Sequence, residues 1–180
     1  MQSSDLDSIV EQSLRSFYED ICSLEWCGRE NEMVNLYALG HLAKQCVPGT
    51  ILSELTQLGI EVAVRQLPPD DEHRGRRQTV RKDLVIWPSA RMTLWKSDVP
   101  HNEPLAIMEW KVNHIFNHAV HQENRREHLL DVRWLQETSN RLCGRDFLGY
   151  AVLIESMGTA KKLSCVRVHG SQNATWIRIP

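Results

Sequence analysis

Residues 147–156 read FLGYAVLIES, an almost unbroken apolar run. It is too short to cross a bilayer and suits a β-strand. A strand that is apolar on both faces has to be covered on both faces, so helices are needed on each side of its sheet. That requirement constrains the fold more than any other stretch of the chain.

The flanking segments supply such helices. Leu6, Ile9, Val10, Leu14, Phe17, Ile21 and Leu24 recur at helical spacing and predict an amphipathic helix capped by Ser3 or Ser4. Trp26, Cys27 and Gly28 break it. ENEMVNLYALGHLAKQ predicts a second helix ended by Pro48-Gly49, and ILSELTQLG a helical turn capped by Gly59. The period then changes to two. IEVAVRQL reads as a strand with Ile60, Val62 and Val64 on one face, and PPDDEHRGRR as a loop. TVRKDLVIW is a second strand, with Asp83, Val85 and Trp87 on one face and Leu84 and Ile86 on the other. RMTLW is a short strand or a continuation of it. LAIMEWKV is the third strand. The polar segment from Asn117 to Asn140 carries an amphipathic helix in its second half, and KLSCVRVHG and ATWIRIP read as late strands around Gly170. Helices, three strands, a helix and further strands make an α/β chain with a central mixed sheet flanked by helices. Its 180 residues suit one globular unit, with residues 1–28 a helical extension packed on a domain of residues 29–180.

A formal net charge of -2 argues against the whole surface attracting polyanions, so nucleic-acid binding would need a local patch. The five cysteines are scattered, with no CxxC pair, which suits reduced thiols. The amino terminus lacks the basic start and apolar run of a signal peptide. A cytoplasmic protein without a membrane span is the expectation.

Two opposite charges interrupt the third strand in PLAIMEWKVN. Glu109 and Lys111 share a face, either as a buried ion pair or as part of a site. Asp83 on the second strand and Glu32 on the preceding helix favour the site. If the second and third strands are neighbours, Asp83 and Glu109 converge, and two carboxylates beside a lysine suit Mg²⁺ and phosphoryl transfer. Lys111 could then orient the attacking water or stabilise transition-state charge.

RKDLVIW followed by PLAIMEWKV resembles the core of the PD-(D/E)xK nuclease superfamily, the restriction-endonuclease-like fold, from about Glu30 to Glu155. The resemblance implies an αβββαβ core, here with an extra N-terminal helix. It implies Mg²⁺- or Mn²⁺-dependent hydrolysis of phosphodiester bonds, with DNA the expected partner, and it allows a homodimer. Carried over, the site is Glu32, Asp83, Glu109 and Lys111, with Asp83, Glu109 and Glu32 as metal ligands. Three departures stand out. Lys82 precedes Asp83 where proline is usual, the gap from Asp83 to Glu109 is long, and Glu30 competes with Glu32 for the helix position. Asp98 is nearer to Glu109 but falls in a loop. Glu32 is preferred because it shares a helical face with Leu36, Leu39, Gly40 and Ala43, whereas Glu30 lies on a more polar stripe with His41.

Arg74, Arg76, Arg77, Arg81 and Lys82 beside the site strand are either a solvated hairpin tip or contacts to phosphates. His114, His118 and His121 read as a polar helix start rather than a zinc site. Gln122, Arg125, Arg126 and Asp131 are candidates for supporting the site, and Trp95 for stacking on a base. The alternative function is a nuclease-like module that binds nucleic acid or a protein without cleaving.

Overall fold

The computed structural model describes residues 2–65, 79–92, 95–96, 99–100, 102–114, 118–142, 147–157, 159–169 and 175–179. Helices α1 (Gln2–Ser23) and α2 (Glu30–Tyr37) come first, and α2 runs on into a π-helical turn, Ala38–Leu42. Strands β1 (Leu58–Arg65), β2 (Thr79–Ile86), β3 (Trp95–Lys96), β4 (Val99–Pro100) and β5 (Ala106–His114) follow. Helix α3 (His118–Arg141) leads to β6 (Leu148–Met157), β7 (Ala160–His169) and β8 (Thr175–Ile179). The fold is α/β. Six strands form one mixed sheet in the order β1-β2-β5-β6-β7-β8, and β3 pairs with β4 in a separate hairpin rather than continuing β2. β5 and β6 are parallel, and the other neighbours in the large sheet are antiparallel. α3 is the crossover that a parallel pair requires.

β6 lies between β5 and β7 and is buried from Leu148 to Ser156, which accounts for its apolar sequence. One face of the sheet, with Leu84, Met108, Trp110, Tyr150 and Val152, packs against α1 and α2. Leu6, Val10, Leu14, Phe17 and Ile21 of α1 are fully buried there, each contributing on the order of 1.5–3 kcal/mol. Phe17, Tyr37 and Trp110 make an aromatic cluster with ring centroids 5.0–5.7 Å apart. The other face, with Val85, Ile107, Ala151 and Val166, packs against Val132 and Leu135 of α3. Gly149 lets α3 come close, since a Cβ there would lie 3.1 Å from Leu135.

Several sequence expectations shift. α1 begins at Gln2, so neither Ser3 nor Ser4 is its cap, and Leu24 lies beyond it, 63% exposed. Gly59 caps nothing, because β1 has already begun at Leu58. The turn before it is held by buried Gln57, whose Oε1 accepts from the Ser53 and Glu54 N–H groups and whose Nε2 donates to the Ile51 and Trp87 carbonyls. The most consequential shift is at Glu61, which takes φ 50, a left-handed conformation that reverses the strand's alternation. Leu58 and Ile60 therefore face α1 and α2, while Val62 and Val64 face α3. β2, paired with β1 here, switches likewise: Val80 faces α3 and Leu84 the opposite layer.

Among the described residues no helix is long and apolar enough to cross a membrane. Cys22, Cys27, Cys46 and Cys165 are free thiols.

Candidate active site at a fork in the sheet

β2 and β5 pair through Ile86↔Ala106, Val85↔Ile107 and Leu84↔Met108, and the ladder ends there. One residue further on, the Asp83 Oδ2 accepts the Trp110 backbone N–H at 2.7 Å, so a side chain takes the place of a ladder bond. β5 continues alongside β6 as far as His114. The strands thus fork at Asp83 and Glu109, and charged residues fill the fork.

Glu109 is 6% exposed and paired with Lys82, itself 6% exposed. The reversed alternation in β2 carries Lys82 to the α3 side, where its Nζ lies 3.4 Å from the centroid of the Trp134 ring. Lys111 lies 3.4 Å from Glu30 on α2 and 3.7 Å from Asp131 on α3, so acids from both helical layers meet on one ammonium. Glu109 and Lys111 share a strand face as expected, but each pairs with other residues.

The electrostatics follow from burial and crowding. Burial drives the Glu109 carboxyl up to about 7; Asp83 and Asp131 add to the shift, and Lys82 offsets part of it. Burial also raises Glu30 and Asp131, against the pull of Lys111. Burial would lower Lys111, but Glu30, Asp131 and Asp83 outweigh it and leave it raised. His128 is pushed down to about 4 by burial and by Lys111.

Glu109 therefore sets a pH window for the metal-free protein. Its native value near 7 exceeds its ordinary 4.5, so the folded state holds the proton more tightly than the unfolded chain. The stability this contributes is full below about 4.5 and lost as pH rises through about 7. His128 acts oppositely as pH falls from about 6.5 to about 4, so the Glu109 part is read as a difference. Relative to wild type, Glu109→Gln should gain melting temperature between pH 5 and pH 8. A difference that stays flat across that range would contradict a strongly raised Glu109.

The sequence-predicted residues divide sharply. Asp83, Glu109 and Lys111 come together at the fork, and Glu32 does not. The buried stripe of the second helix is Met33, Val34, Tyr37, Ala38, His41 and Leu42, and Leu39 is 56% exposed. Glu30 precedes Met33, Val34 and Tyr37 by three, four and seven residues, so it points inward with them. Glu32 is exposed and accepts the Arg29 backbone N–H at 2.7 Å, fastening the helix start instead. Lys82, expected beside phosphates, is buried in the fork. Arg81 is exposed and 3.6 Å from Glu61, and Arg74, Arg76, Arg77 and Asp98 lie outside the described residues. His114 ends β5 and shares a 3.2 Å hydrogen bond with the Gly28 carbonyl, so it does not start a helix. His118 and His121 fall in α3, and Trp95 in the small hairpin. Gln122 and Arg126 are on the exposed side of α3, and Arg125 pairs with Glu155 at 2.7 Å. Asp131 joins the site. The signal for it was its helical spacing from His128 and Leu135, both buried.

The donor set suits a hard divalent cation. Glu30, Asp83, Glu109 and Asp131 offer only oxygen, and four carboxyl groups stand against two ammonium groups, an excess of acid that a divalent ion would offset. Among the described residues no three acids, histidines or cysteines already form a ligand group. Both lysines stand among the acids instead. Comparisons with protein-family models, curated proteins and solved structures find no match.

Proposed function

We propose that this chain is a divalent-metal-dependent nuclease of the PD-(D/E)xK kind, acting on DNA. The observation that carries the reading is the fork, where acids from α2, β2, β5 and α3 surround two lysines beside an interrupted strand pair. The order α2, β1, β2, β5, α3, β6, with β5 and β6 parallel, supports it as an αβββαβ arrangement.

In this reading Asp83 and Glu109 hold Mg²⁺ or Mn²⁺, and Glu30 replaces Glu32 as the helix acid. The ion, when bound, would polarise a phosphate oxygen and acidify a water. Lys111 carries the protein's own part. Glu30 and Asp131 keep its ammonium charged and aimed, so that it can donate to the water or to a non-bridging phosphate oxygen as charge builds up. Asp83 fixes the Trp110 backbone through Oδ2, and its Oδ1 would serve the ligand. Arg74, Arg76, Arg77 and Arg81 are proposed to meet the DNA backbone.

Supercoiled plasmid and linear DNA incubated with Mg²⁺, Mn²⁺ or chelator test the reading. Cleavage with either metal and none with chelator is expected. Binding without cleavage would favour the silent module, which one observation supports: Lys82 already occupies Glu109.

Glu30→Gln should lower cleavage about 10- to 100-fold, the usual effect of losing a partner that orients a site group. Glu32→Ala should leave turnover near wild type and cost about 1 kcal/mol of stability through the helix start. Steady-state rates and melts of the two variants check this, and the reverse pattern would return the role to Glu32.

A further inference from the structure

We propose that Lys82 is a tethered cation that holds the Glu109 carboxylate until a divalent ion displaces it. Metal entry would then be a competition with the protein's own ammonium group. The inference rests on the metal-dependent reading above.

The geometry shows a cation already within the acid cluster. Lys82 bonds Glu109 and also acts electrostatically on Asp131. Its side chain is 7% exposed, and a buried ammonium is costly unless it is paired. Two features single it out from an ordinary ion pair. The alternation switch opposite Glu61 turns Lys82 from the face of Leu84 to the face of Glu109. Its Nζ sits over the Trp134 ring while it is paired with Glu109, so the ring is a weaker partner that would remain when a metal takes the carboxylate. A lysine on a flexible four-carbon stem can leave a carboxylate without unfolding its strand. Lys111 differs, because its partners are Glu30 and Asp131 rather than Glu109.

The test is a Mn²⁺ titration of the full chain, with free ion read by electron paramagnetic resonance. Wild type, Lys82→Met, Lys82→Gln and Lys82→Gln/Glu109→Gln would be compared. Lys82→Gln keeps a hydrogen-bond donor for Glu109, in case the methionine variant does not fold. Removing the competitor should tighten Mn²⁺ binding by about tenfold, and the double variant should lose that gain. Simple charge repulsion could also tighten binding, so Trp134 emission is measured with Mg²⁺. Displacement predicts an emission change in wild type that Trp134→Phe and Lys82→Gln abolish. Unchanged Mn²⁺ affinity in the Lys82 variants, no Mn²⁺ binding in any variant, or metal binding without a Trp134 change would each overturn the proposal. If the proposal alone fails, wild type still cleaves DNA and Glu109→Gln does not. If the nuclease reading alone fails, Lys82→Gln gains Mn²⁺ affinity while wild type cleaves nothing.

Discussion

Replacing Asp83 with asparagine, or Glu109 with glutamine, is expected to reduce Mg²⁺-dependent cleavage by on the order of 10³-fold. Electrostatic stabilisation by a bound metal amounts to several kcal/mol, and each 1.36 kcal/mol is tenfold in rate. Either amide removes a charged ligand while keeping the shape of the side chain. In Asp83→Asn the amide oxygen can still accept the Trp110 N–H, so the fork should keep its backbone geometry. In Glu109→Gln the amide oxygen remains a partner for Lys82. Circular dichroism of both variants should therefore match wild type while cleavage disappears. Neither should melt lower than wild type, and Glu109→Gln should gain melting temperature towards pH 8, as burial of the charged Glu109 predicts. A variant that cleaves at more than about one-tenth of the wild-type rate would remove that carboxylate from the site.

The second large effect belongs to Lys111. Lys111→Met keeps the aliphatic stem and removes the charge that Glu30 and Asp131 share. Loss of one oriented donor to transition-state charge typically lowers turnover about 10²- to 10³-fold, and that is the expected fall here. Metal should still bind through Asp83 and Glu109. Stability should change little, because burial already raises Glu30 and Asp131, and both can take up a proton when their partner goes. Single-turnover rates, metal titrations and melts together check this. A large drop in melting temperature with cleavage intact would instead make Lys111 a structural counter-ion.

Much of the fold was legible because its signals are periodic. The apolar stripe from Leu6 to Ile21 identified α1, and FLGYAVLIES identified the strand that needed cover on both faces. Asp83, Glu109 and Lys111 were legible because each lies on a strand at a position that topology brings to one place. The rest depended on breaks in periodicity. The left-handed Glu61 reverses faces in β1, and a conformation of that kind is disfavoured for glutamate and has no sequence signature. Lys82 therefore read as an exposed neighbour of the arginines, although it is buried against Glu109 and Trp134. Glu30 reads as the poorer helix acid because His41 makes its stripe look polar, yet His41 is buried at 4% exposure. Glu32 reads as an N-terminal capping acid only once Arg29 is known to start the helix, and arginine is an unusual residue there. Asp131 is one of four candidates on α3 that the sequence offers, and only the packing of His128 and Leu135 separates it from Gln122, Arg125 and Arg126.

The central claim is that the fork between β2 and β5 is a metal site serving phosphodiester cleavage. Anomalous diffraction from crystals soaked in Mn²⁺ tests it most directly. The expected result is a peak bound by carboxylate oxygens of Asp83 and Glu109, absent from Glu109→Gln crystals. Mn²⁺-dependent DNA cleavage by the same protein with no peak at the fork, or with the ion bound elsewhere, would contradict it.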